Sequence, residues 1–286
     1  MSRLNATRFK TTLAPYSLSI TSNASSVAPT KIVLLRGHLH CDNLLIIWFQ
    51  KASDGEPHAS VRFGDASNTI LAHGIVLTMD FIQSHYGWVN DPTYCGITLP
   101  NAGAREIIVH CLREADYVGH LTQTDHWYFR PLFDMCLAYY KIKPKKTFYA
   151  FENNYIARFK LFYETFKTMP ILICGAKAEQ YKEVLERRYG WTGIVATVDC
   201  PSWSHVSAAS KEMENIHKKT PWKLALVCAG APGKVLAIKA KELGSVGVDF
   251  GSGADVAIQA DSENLYAWDY EGFPDYWEGR PKKRPF

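Results

Sequence analysis

The sequence has no CxxC pair, no apolar run long enough to cross a bilayer and no charge surplus in its body, and each lack removes a class of protein. Its seven cysteines are Cys41, Cys95, Cys111, Cys136, Cys174, Cys200 and Cys228, an odd set with none within a few residues of another. Zinc ribbons and thioredoxin-type redox motifs need close pairs, so neither is supported. Several of the seven sit inside apolar runs such as Ile171-Leu-Ile-Cys174 and read as small core residues in a reducing compartment. The sequons at Asn5 and Asn23 are then chance matches. The longest apolar run, Leu44 to Phe49, falls far short of the roughly 20 residues a spanning helix needs. With no signal peptide read at the start, the expectation is a cytoplasmic protein that is not integral to a membrane.

The formal net charge is +4, from 32 Lys and Arg against 28 Asp and Glu. Arg280, Lys282, Lys283 and Arg284 at the end of the chain account for the whole excess. The neutral body argues against a surface built to hold a nucleic-acid backbone, and the basic end reads as a solvated terminus. At the other end, the first acid is Asp42, and the preceding stretch is rich in Ser and Thr. Transit peptides share that composition, but we read residues 1–42 as a flexible or strand-forming extension.

Several catalytic fingerprints are also missing. Gly230-Ala-Pro-Gly233-Lys234 has two residues between its glycines and Val235 after the lysine, so it is no Walker A loop. No GxGxxG opens a helix, and no GxSxG elbow accompanies Ser202-Trp-Ser-His205 or Thr124-Asp-His126. His38 and His40 would share one side of a strand, yet no third ligand completes a metal set.

What is present is a rhythm of short apolar runs and amphipathic stretches. In the second half, runs ending at Gly175, Asp199, Cys228 and Asp249 alternate with helical stretches at 177–189, 204–219 and 232–243. Pro232 opens the last of these and Gly244 follows it, the usual punctuation of a helix. The first half carries probable strands at 59–63 and 115–119 and helices at 43–51, 69–83, 106–113, 129–140 and 154–168. The pattern predicts an α/β fold: a Rossmann-like, doubly wound, mostly parallel sheet in a single domain over 43–262. Irregular extensions at 1–42 and 263–286 would flank it.

In such a sheet, ligands collect where loops leave the carboxyl ends of the strands. The loops expected there are Gly64-Asp-Ala-Ser67, Gly175-Ala-Lys177, Asp199, Gly230 to Lys234 and Asp249 to Asp255. They combine glycines, lysines and carboxylates, which suits a phosphorylated ligand. Taken singly, each glycine is ordinary turn chemistry; the argument is their convergence on one edge.

Taken in order, Val61-Arg-Phe-Gly-Asp65, Phe151-Glu-Asn-Asn-Tyr155, Ile173 to Glu179, Ala229 to Val235 and Val248-Asp-Phe-Gly251 with Ala254-Asp255 resemble the GT-D fold family. Those are bacterial glycosyltransferases and glycosyltransferase-like proteins, and the resemblance covers roughly residues 55–260. It implies a sugar-nucleotide donor, transfer of a hexose to a glycan or protein acceptor, and Mn²⁺ or Mg²⁺ held by an Asp-x-Glu pair in an R-x-G-D-G-E pattern. Asp65 and Arg62 take the catalytic Asp and Arg positions, with Asp65 as metal ligand. Donor contacts would fall on Gly64, Ser67, Asn154, Gly175, Lys177, Gly230, Pro232, Lys234, Asp249, Gly251 and Asp255. The sequence departs from the pattern at Ala66 and Ser67, which stand for its glycine and glutamate. It departs again at Ser252, where a histidine is expected. A hydroxyl is a poor metal ligand beside a carboxylate. Two rival readings stay open: a non-catalytic nucleotide- or glycan-binding protein with a degenerate site, and a Rossmann-type enzyme of another chemistry such as a methyltransferase.

Overall fold

The computed structural model describes residues 41–122 and 128–272. The N-terminal extension through residue 40, His38, His40, Thr124 to His126, both sequons and the basic end therefore lie outside the described residues. The chain divides into two units, and all described residues belong to Leu34–Phe286.

The elements run α1 (Cys41–Asp54), β1 (His58–Phe63), α2 (Asp65–Ala72), α3 (Met79–His85), α4 (Pro92–Cys95), α5 (Ala102–Glu114), β2 (Tyr117–His120), α6 (Phe129–Tyr140) and β3 (Lys146–Tyr149). The second half adds α7 (Glu152–Ile156), α8 (Lys160–Phe166), β4 (Ile171–Gly175), α9 (Ala178–Tyr189), β5 (Ile194–Val198) and α10 (Val206–Lys219). It closes with β6 (Leu224–Cys228), α11 (Pro232–Glu242), β7 (Val246–Asp249) and α12 (Gly253–Ser262). The strands form one seven-stranded sheet in the order β3-β2-β1-β7-β6-β4-β5. Every pairing in it is parallel. The first three strands build one flank and the last four the other, so β1 and β7 meet in the middle.

Both faces of the sheet are buried, which explains the continuous apolar strands. In β4, Leu172 and Cys174 face one core while Ile171 and Ile173 face the other. In β6, Ala225 and Val227 face the first core and Leu224 and Leu226 the second. Helices α2, α5, α6, α10 and α11 cover the first face, and α1, α7, α8, α9 and α12 the second. Among the described residues, no helix is long and apolar enough to cross a membrane.

Two predicted helices are each broken in two. The stretch 69–83 parts after α2, where Gly74 adopts φ +71° and the Ala72 carbonyl accepts from three successive amides. The Thr78 hydroxyl then caps α3 by accepting from the Phe81 amide. The stretch 154–168 parts into α7 and α8, and the Tyr163 hydroxyl donates to the Ala157 carbonyl left open between them (2.6 Å). Beyond α12, residues expected as tail pack down: Ala267 and Tyr270 are buried in the second core, and Tyr270 Oη donates to Gln259 Oε1 (3.0 Å).

Candidate functional site

Strands β1, β4, β6 and β7 are followed at the carboxyl edge by α2, α9, α11 and α12, so four helix N-termini gather there. Unpaired amides and aligned dipoles make such ends attractive to anions. Between them lies a cleft of about 490 Å³. Its lining brings together Arg62, Gly64, Asp65, Ser67, Lys177, Lys234, Gly230, Gly251 and Asp255 from loops far apart in sequence. Asn154, Gly175, Pro232 and Asp249 do not line it. They support it from below or behind.

Arg62 ties the floor together. Its Nε donates to the Asp249 carbonyl (2.7 Å), and its Nη1 donates to the Ala150 carbonyl (3.0 Å) and Asn153 Oδ1 (2.8 Å). Its backbone amide donates to Asp249 Oδ2 (3.1 Å), and Nη2 lies 3.6 Å from Asp249 Oδ1. Three of five guanidinium hydrogens thus serve carbonyl and amide oxygens of the protein, so Arg62 clamps β1 to β7 and to the start of α7. Gly251 makes room for it: the backbone there has φ +46°, and a β-carbon would overlap Arg62 Nη2. Asn153, which sequence reasoning passed over, carries the clamp onward by donating to the Phe250 carbonyl (2.6 Å). Ser252 Oγ donates to Asn154 Oδ1 (2.8 Å), placing Asn154 in this buried network.

Each lysine of the cleft sits at the start of a helix, where the dipole disfavours a cation, and each is offset by an aspartate. Lys234, in the first turn of α11, approaches Asp249 Oδ2 at 3.4 Å, with their side chains 4% and 1% exposed. It also stands over the Phe63 ring at 5.6 Å. Lys177, the residue before α9, pairs with Asp255 Oδ1 of α12 at 2.6 Å, in the open, at 56% and 17% exposure. Gly175 ends β4 against β6, where a β-carbon would run into the Cys228 carbonyl, so its role is close strand approach.

The remaining wall comes from the long connection between α3 and α5. Asp91, Thr93, Tyr94, Cys95 and Gly96 line the cleft. The backbone of this wall is stapled to neighbouring loops: the Ala231 amide donates to the Cys95 carbonyl (2.8 Å) and the Trp203 amide to the Gly96 carbonyl (2.6 Å). Gly230 turns against it at φ +61°, where a β-carbon would press on the Cys95 carbonyl. Tyr94 Oη donates to Asp65 Oδ2 (3.0 Å), and the Tyr94 ring stacks on Trp88 with centroids 5.4 Å apart. Thr93 donates its hydroxyl (2.6 Å) and its amide (2.8 Å) to Asp91 Oδ1, which holds the Asp91 carboxyl below its ordinary range. No periodic signal marks this wall in the sequence, and its glycine, Gly96, stands outside the glycine-bearing loops that follow the strands.

Burial raises the thiols of Cys95 and Cys200 to about 12 and about 11, and pushes that of Cys228 up as well. Burial thus disfavours the thiolate form of the cysteines lining the cleft. A divalent ion needs several oxygen donors. Among the described residues, no three His, Cys, Asp or Glu side chains gather to hold one. Ser67 offers a buried hydroxyl beside Asp65, while Asp249 and Asp255 face lysines. Asp65, Ser67 and Asp91 line the cleft without gathering into a protein-built metal cage.

A parallel sheet with helices on both faces and a cleft where its two flanks meet defines a doubly wound, Rossmann-like α/β protein. The model of the GT-D fold-like domain matches residues 39–257, and the chain belongs to that family. Two solved structures of the domain of unknown function 1792 share the fold. One is a selenomethionine-substituted form, and the other is described as having a distinct glycosyltransferase fold. Each aligns with a TM-score of 0.50 at 13% identity, covering 85% of this chain and 89% of its own. No curated protein matches the sequence significantly.

Proposed function

We propose that the protein binds a sugar nucleotide in this cleft and transfers its hexose to a glycan or protein acceptor. The observation that carries the reading is the convergence of Lys177 and Lys234 with four helix N-termini on one cleft. Such a set suits a diphosphate, whose charge grows as it leaves. In a direct displacement, the bond from the anomeric carbon to the diphosphate oxygen breaks and its electron pair stays on the diphosphate. The acceptor oxygen forms the new bond, and its proton passes to a carboxylate. Asp65, at the mouth of β1, is the group we assign to that proton. Lys177 faces the diphosphate, Lys234 adds its charge from the sealed cluster behind it, and Asp255 meets the ribose or sugar once Lys177 turns to phosphate.

One observation favours a second reading. Ser67 leaves Asp65 as the single carboxylate of the expected pair, so the cleft would hold a nucleotide or glycan without turning it over. Calorimetric titration with UDP, GDP and their sugar conjugates, with and without Mn²⁺, tests both readings. Nucleotide binding that weakens in Lys177→Ala, with sugar release or transfer lost in Asp65→Ala, supports the transferase. Binding without turnover supports the second reading, and silence across the nucleotides overturns the donor site. Ser67→Glu sharpens the metal question: it should create Mn²⁺-dependent binding if position 67 faces the diphosphate.

A further inference from the structure

The two sides of the cleft differ in chemistry. The side built from α9 and α11 carries Lys177 and Lys234, whereas the wall between α3 and α5 carries Tyr94, Asp91 and Thr93 next to Asp65. A lysine-lined side takes an anion. The carboxylates of that wall accept hydrogen bonds and repel phosphate, which suits a neutral ligand rich in hydroxyl donors.

The aromatic part of that wall is built to hold its place. Tyr94 is 42% exposed and lines the cleft, while its ring stacks on the half-buried Trp88 at 22°. The hydroxyl is fixed on Asp65 and the backbone that follows is stapled, through Cys95 and Gly96, to the loops after β6 and β5. The face of an aromatic ring is electron-rich and attracts polarised C–H edges. A pyranose offers both matching features: an apolar C–H face to lie on a ring, and peripheral hydroxyls to donate to carboxylates. A pyrimidine base has carbonyl acceptors at its edge, and the two hydroxyls of this wall that could serve them, on Thr93 and Tyr94, are already donated to Asp91 and Asp65.

We infer that Tyr94, backed by Trp88 and flanked by Asp65 and Asp91, is a subsite for a neutral sugar ring. The ring is either the hexose of the donor or a residue of a glycan acceptor. The inference deepens the transferase reading but does not need it, because a glycan-binding protein would use the same platform.

The test is titration of wild-type protein and the Tyr94→Ala, Tyr94→Phe and Trp88→Ala variants with UDP, UDP-glucose, maltotriose and N-acetylchitotriose. Thermal melts establish that each variant is folded. Tyr94→Ala should leave UDP binding unchanged and weaken at least one sugar-bearing probe about five- to tenfold, the scale of one aromatic contact. Tyr94→Phe, which keeps the ring, should stay near wild type, and Trp88→Ala should fall between. Loss confined to UDP-glucose assigns the ring to the donor hexose, and loss confined to an oligosaccharide assigns it to the acceptor. If no nucleotide binds but an oligosaccharide binds through Tyr94, the donor reading fails and the sugar subsite stands. Equal weakening of UDP and UDP-glucose would place the base on Tyr94 and overturn the inference. Sugar-probe affinities that are absent in wild type, or indifferent to Tyr94→Ala, overturn it too.

Discussion

Two aspartates hold two lysines around the same cleft, and the closer pair is the weaker. Lys177 and Asp255 are 2.6 Å apart with the lysine largely in solvent; Lys234 and Asp249 are 3.4 Å apart and nearly sealed from it. An exposed pair is screened and contributes about 0–1 kcal/mol, whatever its distance. The sealed pair has given up hydration, and with Arg62 it forms a three-member cluster in which removing one charge strands the others. Distance alone would have ranked them the wrong way round. The sealed cluster belongs to the architecture, joining β1 to β7 and α11. The open pair is free to exchange partners, so Lys177 can move from Asp255 to a phosphate at little cost.

The sharpest way to break this contrast is Asp249→Ala. It leaves Arg62 and Lys234 buried beside each other and should cost about 3–5 kcal/mol in urea unfolding. Adding Lys234→Met should recover part of that loss; a double variant no more stable than the single one would show that the cluster is not coupled. A second sealed ionisable group lies at the opposite edge of the sheet. His58 is buried and hydrogen-bonded to Ser60 Oγ (2.9 Å), which also accepts from Trp48 Nε1, and desolvation lowers its pKa to about 4 despite Asp116 nearby. The unfolded chain takes up that proton near pH 6.5, so it binds more protons than the fold between about pH 4 and 6.5. Stability should therefore fall as pH falls through that window, by up to about 3 kcal/mol, and His58→Gln should flatten the profile. Gly251→Ala sets a side chain against Arg62 at φ +46° and should cost about 1–3 kcal/mol. Wild-type melting in that variant would mean the clamp gives way easily. The smallest expected effect on stability is that of Lys177→Ala, under about 1 kcal/mol, accompanied by a roughly tenfold loss of UDP affinity. A large loss of stability there would erase the distinction between the two pairs.

The parts of the fold legible in sequence were those buried on both faces. Strands β4, β6 and β7 are short apolar runs of this kind, while β5, a half-buried edge strand, was legible through its β-branched Ile194, Val195, Thr197 and Val198. The loops after β1, β4, β6 and β7 carry glycines and charged residues at the edge where the cleft lies. Strand β3 escaped notice because Lys146-Thr-Phe-Tyr149 is an edge strand, partly exposed and preceded by a lysine-rich stretch. Helix α12 was hidden behind Gly251-Ser-Gly253, which reads as a loop although the helix begins at its last residue. The Arg62 clamp joins residues almost two hundred positions apart, and nothing local in Asn153 announces its place in it. The aromatic wall is the largest omission. Its short helical turns have no period to read, and its position depends on backbone bonds to loops that follow much later in the chain.

That last feature bears on how such a site can diversify. Because the wall is fastened through the carbonyls of Cys95 and Gly96, the aperture of the cleft is set by main-chain bonds that most side chains leave untouched. Residues 91, 93 and 94, whose side chains line the cleft, can then be exchanged for others with the main-chain frame kept. On the proposed reading, a descendant could trade one sugar for another by altering a few outward side chains on a fixed frame. This part of the molecule is therefore well placed for selection, or a protein engineer, to retune what the cleft accepts while the fold goes on unchanged.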